Sequence, residues 1–133
     1  MLRFSEGVNL AVHALSYLAS RCDEAVTVAC IAEDLKVSRD HLSKVLQRLS
    51  KVRMVKAQRG PKGGYALAKD PATVTLLQIV ESLEGPWFPP HCLLGGTICG
   101  GACVLHQLTG ELHERVRETL ESTTLADLPH LPR

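Results

Sequence analysis

The stretch SRDHLSKVLQRLSKVRMVKAQRGPKGGYALAK, residues 38–69, decides the fold of this 133-residue chain. Leucine and valine residues recur at helical spacing over residues 39–51, and Ser38 stands where a helix cap is expected. Two alternating segments, 54–58 and 65–69, then flank a turn rich in glycine and proline. The pattern predicts a helix followed by a β-hairpin.

A second helical segment lies just before this stretch, at residues 28–35, with Thr27 as its cap. A three-residue turn, 36–38, separates it from the helix at 39–51. Two short helices joined by a tight turn, the second rich in Arg, Lys, Gln and Ser, are typical of a helix-turn-helix. The hairpin has the position and the basic tip of a wing. The sequence therefore predicts a winged helix-turn-helix, mainly α with a small β-hairpin.

The distribution of charge marks the same stretch as a surface for a polyanion. Residues 36–69 contain ten Lys or Arg and a single acid, Asp40, so this segment carries +9 and the rest of the chain −8. The alternative is a solvated helix that happens to be basic, but such helices usually interleave acids for solubility. We therefore predict double-stranded DNA as the partner.

The predicted DNA contacts divide into base edges and phosphates. The candidates for base edges are polar residues of the second helix: Arg39, His41, Ser43, Lys44 and Gln47. The candidates for phosphates are Arg48, Lys51, Arg59 and Lys62. Glycines let the backbone approach phosphate closely. The cap residue and three glycines complete the predicted surface: Ser38, Gly60, Gly63 and Gly64.

Further helices are predicted on both sides of this unit. Apolar spacing predicts one over residues 5–20, and the capping box of Thr75 and Gln78 opens another. A leucine stripe over residues 103–121 predicts a long amphipathic helix, which we expect to pair with a second chain because helix-turn-helix proteins bind paired half-sites as dimers. The expected organisation is a winged DNA-binding domain at 1–85, a cysteine-rich sensor loop at 86–102, and a dimerisation helix with a tail at 103–133.

The stretch HCLLGGTICGGACVLH, residues 91–106, places three of the five cysteines between two histidines. The odd cysteine count and a first segment unlike a signal peptide favour a cytoplasmic protein, where clustered cysteines bind metal or do redox chemistry more often than they form disulfides. No apolar run approaches the ~20 residues of a membrane span. These residues could hold an iron–sulfur cluster, close a tetrahedral zinc site or act as metal-free thiol sensors.

An enzyme that uses a Cys–His pair is the least favoured class of function. No second orienting group and no substrate pocket can be identified in the sequence. An enzyme also has no need of a segment with a net charge of +9 that coincides with a helix-turn-helix. The sequence therefore predicts a binding protein and not an enzyme.

Taken together, the motifs resemble the Rrf2 family of bacterial transcription regulators, including its iron–sulfur regulators of the IscR and NsrR type. The matching segments follow one another in the family's order over nearly the whole chain: SRDHLSKVLQRLSK, RGPKGGYALAKDP, TLLQIVESLEG and TTLADL. The resemblance implies a homodimer, a palindromic operator, and a long helix that crosses to the partner. It further implies a repressor whose DNA affinity is controlled by an iron–sulfur cluster, 2Fe–2S rather than 4Fe–4S, that senses redox state, iron–sulfur status or nitric oxide.

The resemblance also implies a set of cluster ligands in the cysteine-rich loop. In this chain the set is Cys92, Cys99, Cys103 and His106. The terminal C-x2-H is similar to the IscR arrangement, in which a histidine completes the set, while the preceding C-x3-C spacer is shorter than is usual in the family. Other relatives take a fourth ligand from the first helix of the partner, where this chain offers Glu6, Asn9 and His13. Zinc, or no metal at all, remains the alternative.

Three other residues are expected to be structural. Cys30 lies in the first helix of the helix-turn-helix and is expected to pack as a small apolar side chain. Trp87 and Phe88 are expected to pack the cysteine-rich loop against the domain, because exposed aromatic side chains would otherwise be unexplained.

Overall fold

The computed structural model of the chain describes residues 3–21, 24–89, 92 and 102–129. These residues form helices, one two-stranded antiparallel sheet and two short 3-10 turns, Pro71–Thr73 and Leu125–Asp127. The elements, in chain order, are α1 (Glu6–Ala19), α2 (Val28–Leu35), α3 (Arg39–Lys51), β1 (Val55–Gln58), β2 (Gly64–Leu67), α4 (Leu76–Glu84) and α5 (Val104–Ser122). The predicted mainly α fold with a hairpin wing and a long C-terminal helix is confirmed.

The ends of the helices follow from local capping. The side chains of Ser5, Thr27 and Ser38 each accept a hydrogen bond from the backbone N–H three residues further on. Thr75 and Gln78 form the predicted reciprocal capping box at the start of α4. Such caps satisfy N–H groups that have no partner inside the helix. Because these signals are local in sequence, the predicted bounds of α2 and α3 and the predicted start of α4 agree with the structure.

A single hydrophobic core lies where α1, α3 and α4 meet the base of the hairpin. Leu15, Ile31, Leu42, Leu46 and Leu49 are fully buried in it. Burying one such side chain contributes about 1.5–3 kcal/mol. The inward face of α3 therefore fixes that helix, and its outer face is left to solvent.

The wing is attached to the helix-turn-helix through the strand β2. Its partner β1 runs antiparallel, with Gln58 opposite Gly64. Val26, which precedes α2, exchanges two backbone hydrogen bonds of 2.8 Å with Tyr65. A Cβ atom at Gly64 would lie 2.2 Å from the carbonyl oxygen of Val26, so the close approach of these two segments requires glycine.

The two ends of α5 differ in their surroundings. Leu120 and Leu125 at its C-terminal end are buried in the core. Leu76 N–H donates to the Thr123 carbonyl, and Leu125 N–H donates to the Val74 carbonyl, so this end is bonded to the start of α4. Four apolar side chains along the first half of the helix are exposed: Val104, Leu105, Leu108 and Leu112.

Two of the expectations about single side chains are wrong. Cys30 is exposed and not packed, because the buried residues of α2 are its neighbours Ile31 and Ala32. Phe88 is 67% exposed, whereas Trp87 is half-buried and packs against the core as expected. Within the described residues, no helix is both long and apolar enough to cross a membrane.

Candidate functional site

The outer face of α3 presents basic and polar side chains to solvent. Lys44, Gln47 and Lys51 are exposed and, at spacings of three and four residues, are neighbours along one stripe. Arg39, at the first turn, is also exposed. His41, Ser43 and Arg48 complete the predicted set on this helix; the first two are half-buried and the third is exposed. The predicted base-edge residues thus lie on one helix, but they differ in how far their side chains are exposed.

The tip of the wing places two cations beyond the end of the sheet. Arg59 and Lys62 are both exposed. A Cβ atom on Gly63 would lie 2.5 Å from the carbonyl oxygen of Gln58, so contacts inside the chain already require glycine there. Gly60 has a φ of 110° and open space around it, which leaves its backbone accessible. Of the three glycines predicted at the DNA surface, only Gly60 is thus free of an intramolecular contact at its Cβ position.

Arg48 has a partner that the sequence did not indicate. Its Nη2 donates to the backbone carbonyl of Leu83 at 2.5 Å, across 35 residues of sequence. Leu83 lies in the last turn of α4, where carbonyl groups have no partner inside the helix. The guanidinium group of Arg48 therefore connects α3 to the C-terminal end of α4.

A polar cluster connects α1, and the turn after it, to α2. The Tyr17 hydroxyl donates to Asp34 Oδ2 at 2.5 Å, and Arg21 Nη2 donates to both groups, at 2.7 Å and 3.3 Å. The Arg21 guanidinium also lies over the Tyr17 ring, 4.5 Å from its centroid. Burial, and next the hydrogen bond to Asp34, raise the pKa of Tyr17 well above its usual range. The phenol therefore stays protonated and remains a donor.

A pocket of about 450 Å³ opens between α1 and the turn that precedes α3. Glu6, Asn9 and His13 line it on the α1 side, and Ser38 and His41 on the α3 side. The His13 Nδ1 atom lies 2.6 Å from the Asn9 carbonyl oxygen. The three α1 residues singled out from the resemblance as candidate ligands for a partner chain thus share one concave surface with the start of α3.

The structure describes three of the four predicted cluster ligands; Cys99 lies outside the described residues. Cys103 is a half-buried free thiol at the N-cap position of α5, and its side chain makes no capping hydrogen bond. His106 is exposed one turn later, so both donors lie on the same side of the helix start. Among the described residues, no three Cys, His, Asp or Glu side chains could hold a metal ion together. A metal site that uses Cys92 and Cys103 would therefore need at least one donor from outside the described residues.

Trp87 holds the chain that leads to Cys92. Its backbone N–H donates to Glu81 Oε1 at 2.9 Å. Its ring stacks on His113 of α5, with centroids 4.8 Å apart and planes 23° from parallel. The ring Nε1 is buried and has no acceptor within the part of the chain that the structure describes. The approach to the cysteine-rich loop is thereby attached to both α4 and α5.

Comparison with known proteins identifies the same architecture. The model of the Rrf2 family, described as iron-dependent transcriptional regulators, matches residues 4–130. A protein of Aquifex aeolicus named as an HTH-type transcriptional regulator is 36% identical over 129 residues, which cover 94% of this chain and 90% of that protein. IscR of Klebsiella pneumoniae is 32% identical over 104 residues, 77% of this chain. Those residues span 64% of that relative's own length.

Two solved structures share nearly the whole fold. CymR, described as the global cysteine regulator of B. subtilis, has a TM-score of 0.83 at 28% identity, covering 96% of this chain and 95% of CymR. IscR of T. potens has a TM-score of 0.77 at 28% identity, covering 95% and 85%. The matching family and these relatives are described as transcription regulators. The chain therefore belongs to the Rrf2 family of DNA-binding transcription regulators.

Proposed function

We propose that this chain is a homodimeric repressor whose affinity for a palindromic operator is controlled by an iron–sulfur cluster in the cysteine-rich loop. The observation that carries the proposal is the position of Cys103. This uncapped thiol starts the helix whose first half exposes an apolar stripe, with His106 one turn further on. The similarity to two IscR proteins supports the same reading.

On the DNA side, α3 is the recognition helix and the hairpin is the wing. Lys44 and Gln47 would reach base edges in the major groove, and Lys51, Arg59 and Lys62 would contact phosphates. The charge of +9 over residues 36–69 supplies the attraction to the duplex that does not depend on sequence.

The second copy would bind along the exposed half of α5. Val104, Leu105, Leu108 and Leu112 are between 49% and 76% exposed, which is unusual for four apolar side chains on one helix. Pairing two such stripes would bury them and would set the separation of the two recognition helices. A dimer of this kind matches an operator with two half-sites.

The donor set suits an iron–sulfur cluster. Cys92, Cys99 and Cys103 would supply thiolates, the ligands that hold most iron–sulfur clusters. His106 is the candidate fourth ligand, and an imidazole in that place raises the reduction potential. The alternative fourth ligand would come from the partner's α1, whose Glu6, Asn9 and His13 line a pocket. When bound, such a cluster supplies a reversible response to oxidant, iron–sulfur status or nitric oxide; we favour the 2Fe–2S type.

Regulation would act through the start of α5. Cys103 and the exposed stripe lie on the same helix, so a change in what Cys103 binds would alter the geometry of the dimer contact. That change would alter the spacing of the two recognition helices, which is a coupling between two distinct sites.

A second candidate is a regulator of the same fold that acts through its thiols, zinc or a partner protein without a cluster. It is favoured by the similarity to CymR, whose TM-score of 0.83 exceeds the 0.77 of the IscR structure. A half-buried thiol at a helix N-terminus, as at Cys103, can also be activated for oxidation.

Anaerobic purification, followed by visible absorption and assays of iron, sulfide and zinc, tests the proposal. We expect coloured protein that contains iron and sulfide, and loss of both when Cys92, Cys99 and Cys103 are replaced together by Ala. The matched control is Cys30→Ala, which removes an exposed thiol on α2 and should leave the colour unchanged.

Colourless protein that contains zinc would contradict the cluster and favour the second candidate. DNA binding by the triple variant separates the remaining cases. A response to oxidant that survives in this variant would contradict both candidates that rely on these cysteines.

A further inference from the structure

Arg48 is the cation of α3 whose environment differs from that of the others. Its Nη2 donates to the Leu83 carbonyl at 2.5 Å. Among the described residues, the side chains of Arg39, Lys44 and Lys51 make no hydrogen bond and no ion pair. On the surface of α3, Arg48 lies four residues after Lys44 and three before Lys51, so it neighbours both, and only its bond sets it apart. Its bond to Leu83 directs its guanidinium group towards α4.

The acceptor of this bond is well suited to a guanidinium group. Leu83 is 7% exposed, and its carbonyl lies in the last turn of α4, where the helix dipole favours a cation. A hydrogen bond from a charged donor is stronger than one between neutral groups. The contact is therefore a specific link between α3 and α4.

The residues that follow Leu83 lead directly to the cysteine-rich loop. Gly85 turns the chain with a φ of 84°, and its N–H donates to the Glu81 carbonyl. Trp87 is then held by the Glu81 carboxylate and by the ring of His113. Five positions after Trp87 comes Cys92. One end of α4 thus contacts both α3 and the segment that enters the loop.

We propose that Arg48 is a positioning residue of the DNA-binding surface and not a phosphate ligand. Its bond to Leu83 fixes α3 to the end of α4 and makes DNA affinity depend on the segment held by Trp87. The regulatory half of this inference rests on the proposed function, since it requires that the cysteine-rich loop control DNA binding. The positioning half does not.

Salt dependence separates a positioning role from a phosphate contact. The probe is a duplex selected in vitro from random sequence by the wild-type protein, and the measurement is the dissociation constant over a series of salt concentrations. The affinity falls as salt rises, and loss of one phosphate contact makes the slope of log K against log salt less steep by about 0.9. We expect Arg48→Ala to weaken binding about tenfold, as loss of a charged hydrogen bond can, with the slope unchanged. The control Lys51→Ala should lower the slope.

Two results would overturn the proposal. A slope for Arg48→Ala that falls as it does for Lys51→Ala would make Arg48 a phosphate ligand, and an unchanged affinity would leave it without a role in binding. Thermal unfolding checks that the variants are folded. If Arg48→Ala does not fold, Arg48→Met keeps the apolar stem and is measured in the same way.

The regulatory half is tested by the ratio of affinities between the two states of the cysteines, as isolated anaerobically and after treatment with oxidant. In the wild type we expect a ratio different from one, and in Arg48→Ala a ratio near one. If the wild type itself shows no difference, the proposed sensing by cysteines fails, while the salt series still decides the role of Arg48. A ratio in Arg48→Ala equal to that of the wild type would overturn the link.

Discussion

Apolar side chains are buried in the winged helix-turn-helix, here called the winged unit, and exposed along the first half of α5. In the winged unit, Leu15, Leu42 and Leu46 are completely buried, and α3 exposes only its polar face. Along the first half of α5, Leu105 is 71% exposed and Leu108 is 50% exposed. Both segments have the periodicity of an amphipathic helix, yet only one of them finds its apolar partner within the described chain.

The first region buries its apolar side chains within the described chain. The second leaves them exposed, so that only a contact from outside the described chain could bury them. The end of α5 belongs to the first kind, since Leu120 and Leu125 are buried and backbone hydrogen bonds connect this end to α4. The start of α5, with Cys103 and the exposed stripe, belongs to the second. The predictions below measure this contrast, from the largest expected effect to the smallest.

The largest effect is expected from Leu46→Ala in the winged unit. Leu46 is 0% exposed, and removal of a buried leucine side chain costs the transfer energy of its carbons and leaves a cavity. We expect the free energy of unfolding, measured by urea denaturation, to fall by about 3–5 kcal/mol.

The matched control is Leu105→Ala on α5. Because Leu105 is 71% exposed, its replacement should change the stability of the chain's own fold by no more than about 0.5 kcal/mol. Equal losses at the two positions would show that the first half of α5 is buried in the isolated chain, and the contrast would disappear.

The same contrast explains which features the sequence could predict. The caps at Ser5, Thr27 and Ser38 and the capping box of Thr75 and Gln78 join residues three apart, so the pattern alone located them. The inward face of α3 follows from its period in the same way.

Contacts between distant segments could not be predicted in this way. The bond from Arg48 to Leu83 spans 35 residues, and the bond from Ser5 N–H to the Glu84 carboxylate spans 79. The exposure of Cys30 also depends on which face of α2 meets the core, and eight residues of helix leave that choice open. The sequence thus indicated the chemistry of the candidate site, while the links that connect it to α3 needed the tertiary structure.

We expect Leu108→Lys to have an effect of intermediate size, on the association of two copies of the chain. In a symmetric dimer the introduced lysine would occur in both copies. Each charge would either be buried, at a cost in free energy, or would keep apolar side chains of the two stripes apart. We expect the dimer to weaken by about 2 kcal/mol or more, roughly thirtyfold in the dissociation constant, as measured by sedimentation equilibrium. The unfolding of the monomer should change little.

The neighbouring substitution Gln107→Lys adds the same charge about 100° around α5 from Leu108 and serves as the control. The Gln107 side chain is exposed, and its hydrogen bond among the described residues is to Glu111, so the dimer should persist. A dimer that tolerates Leu108→Lys but not Gln107→Lys would place the partner on the Gln107 side of α5 and not on the leucine stripe.

The smallest effect is expected from Gly110→Ala, near the middle of α5. No atom lies within 4 Å of the position where a Cβ would be built, and glycine inside a helix costs about 0.5–1 kcal/mol relative to alanine. Gly110 lies two residues after Leu108, which in a helix turns it well away from the exposed stripe. Thermal unfolding should therefore show a gain of about this size, without a change in the dimer constant. A weaker dimer would mean that the partner contacts α5 beside Gly110, and that the surface completed by a second copy extends beyond the leucine stripe.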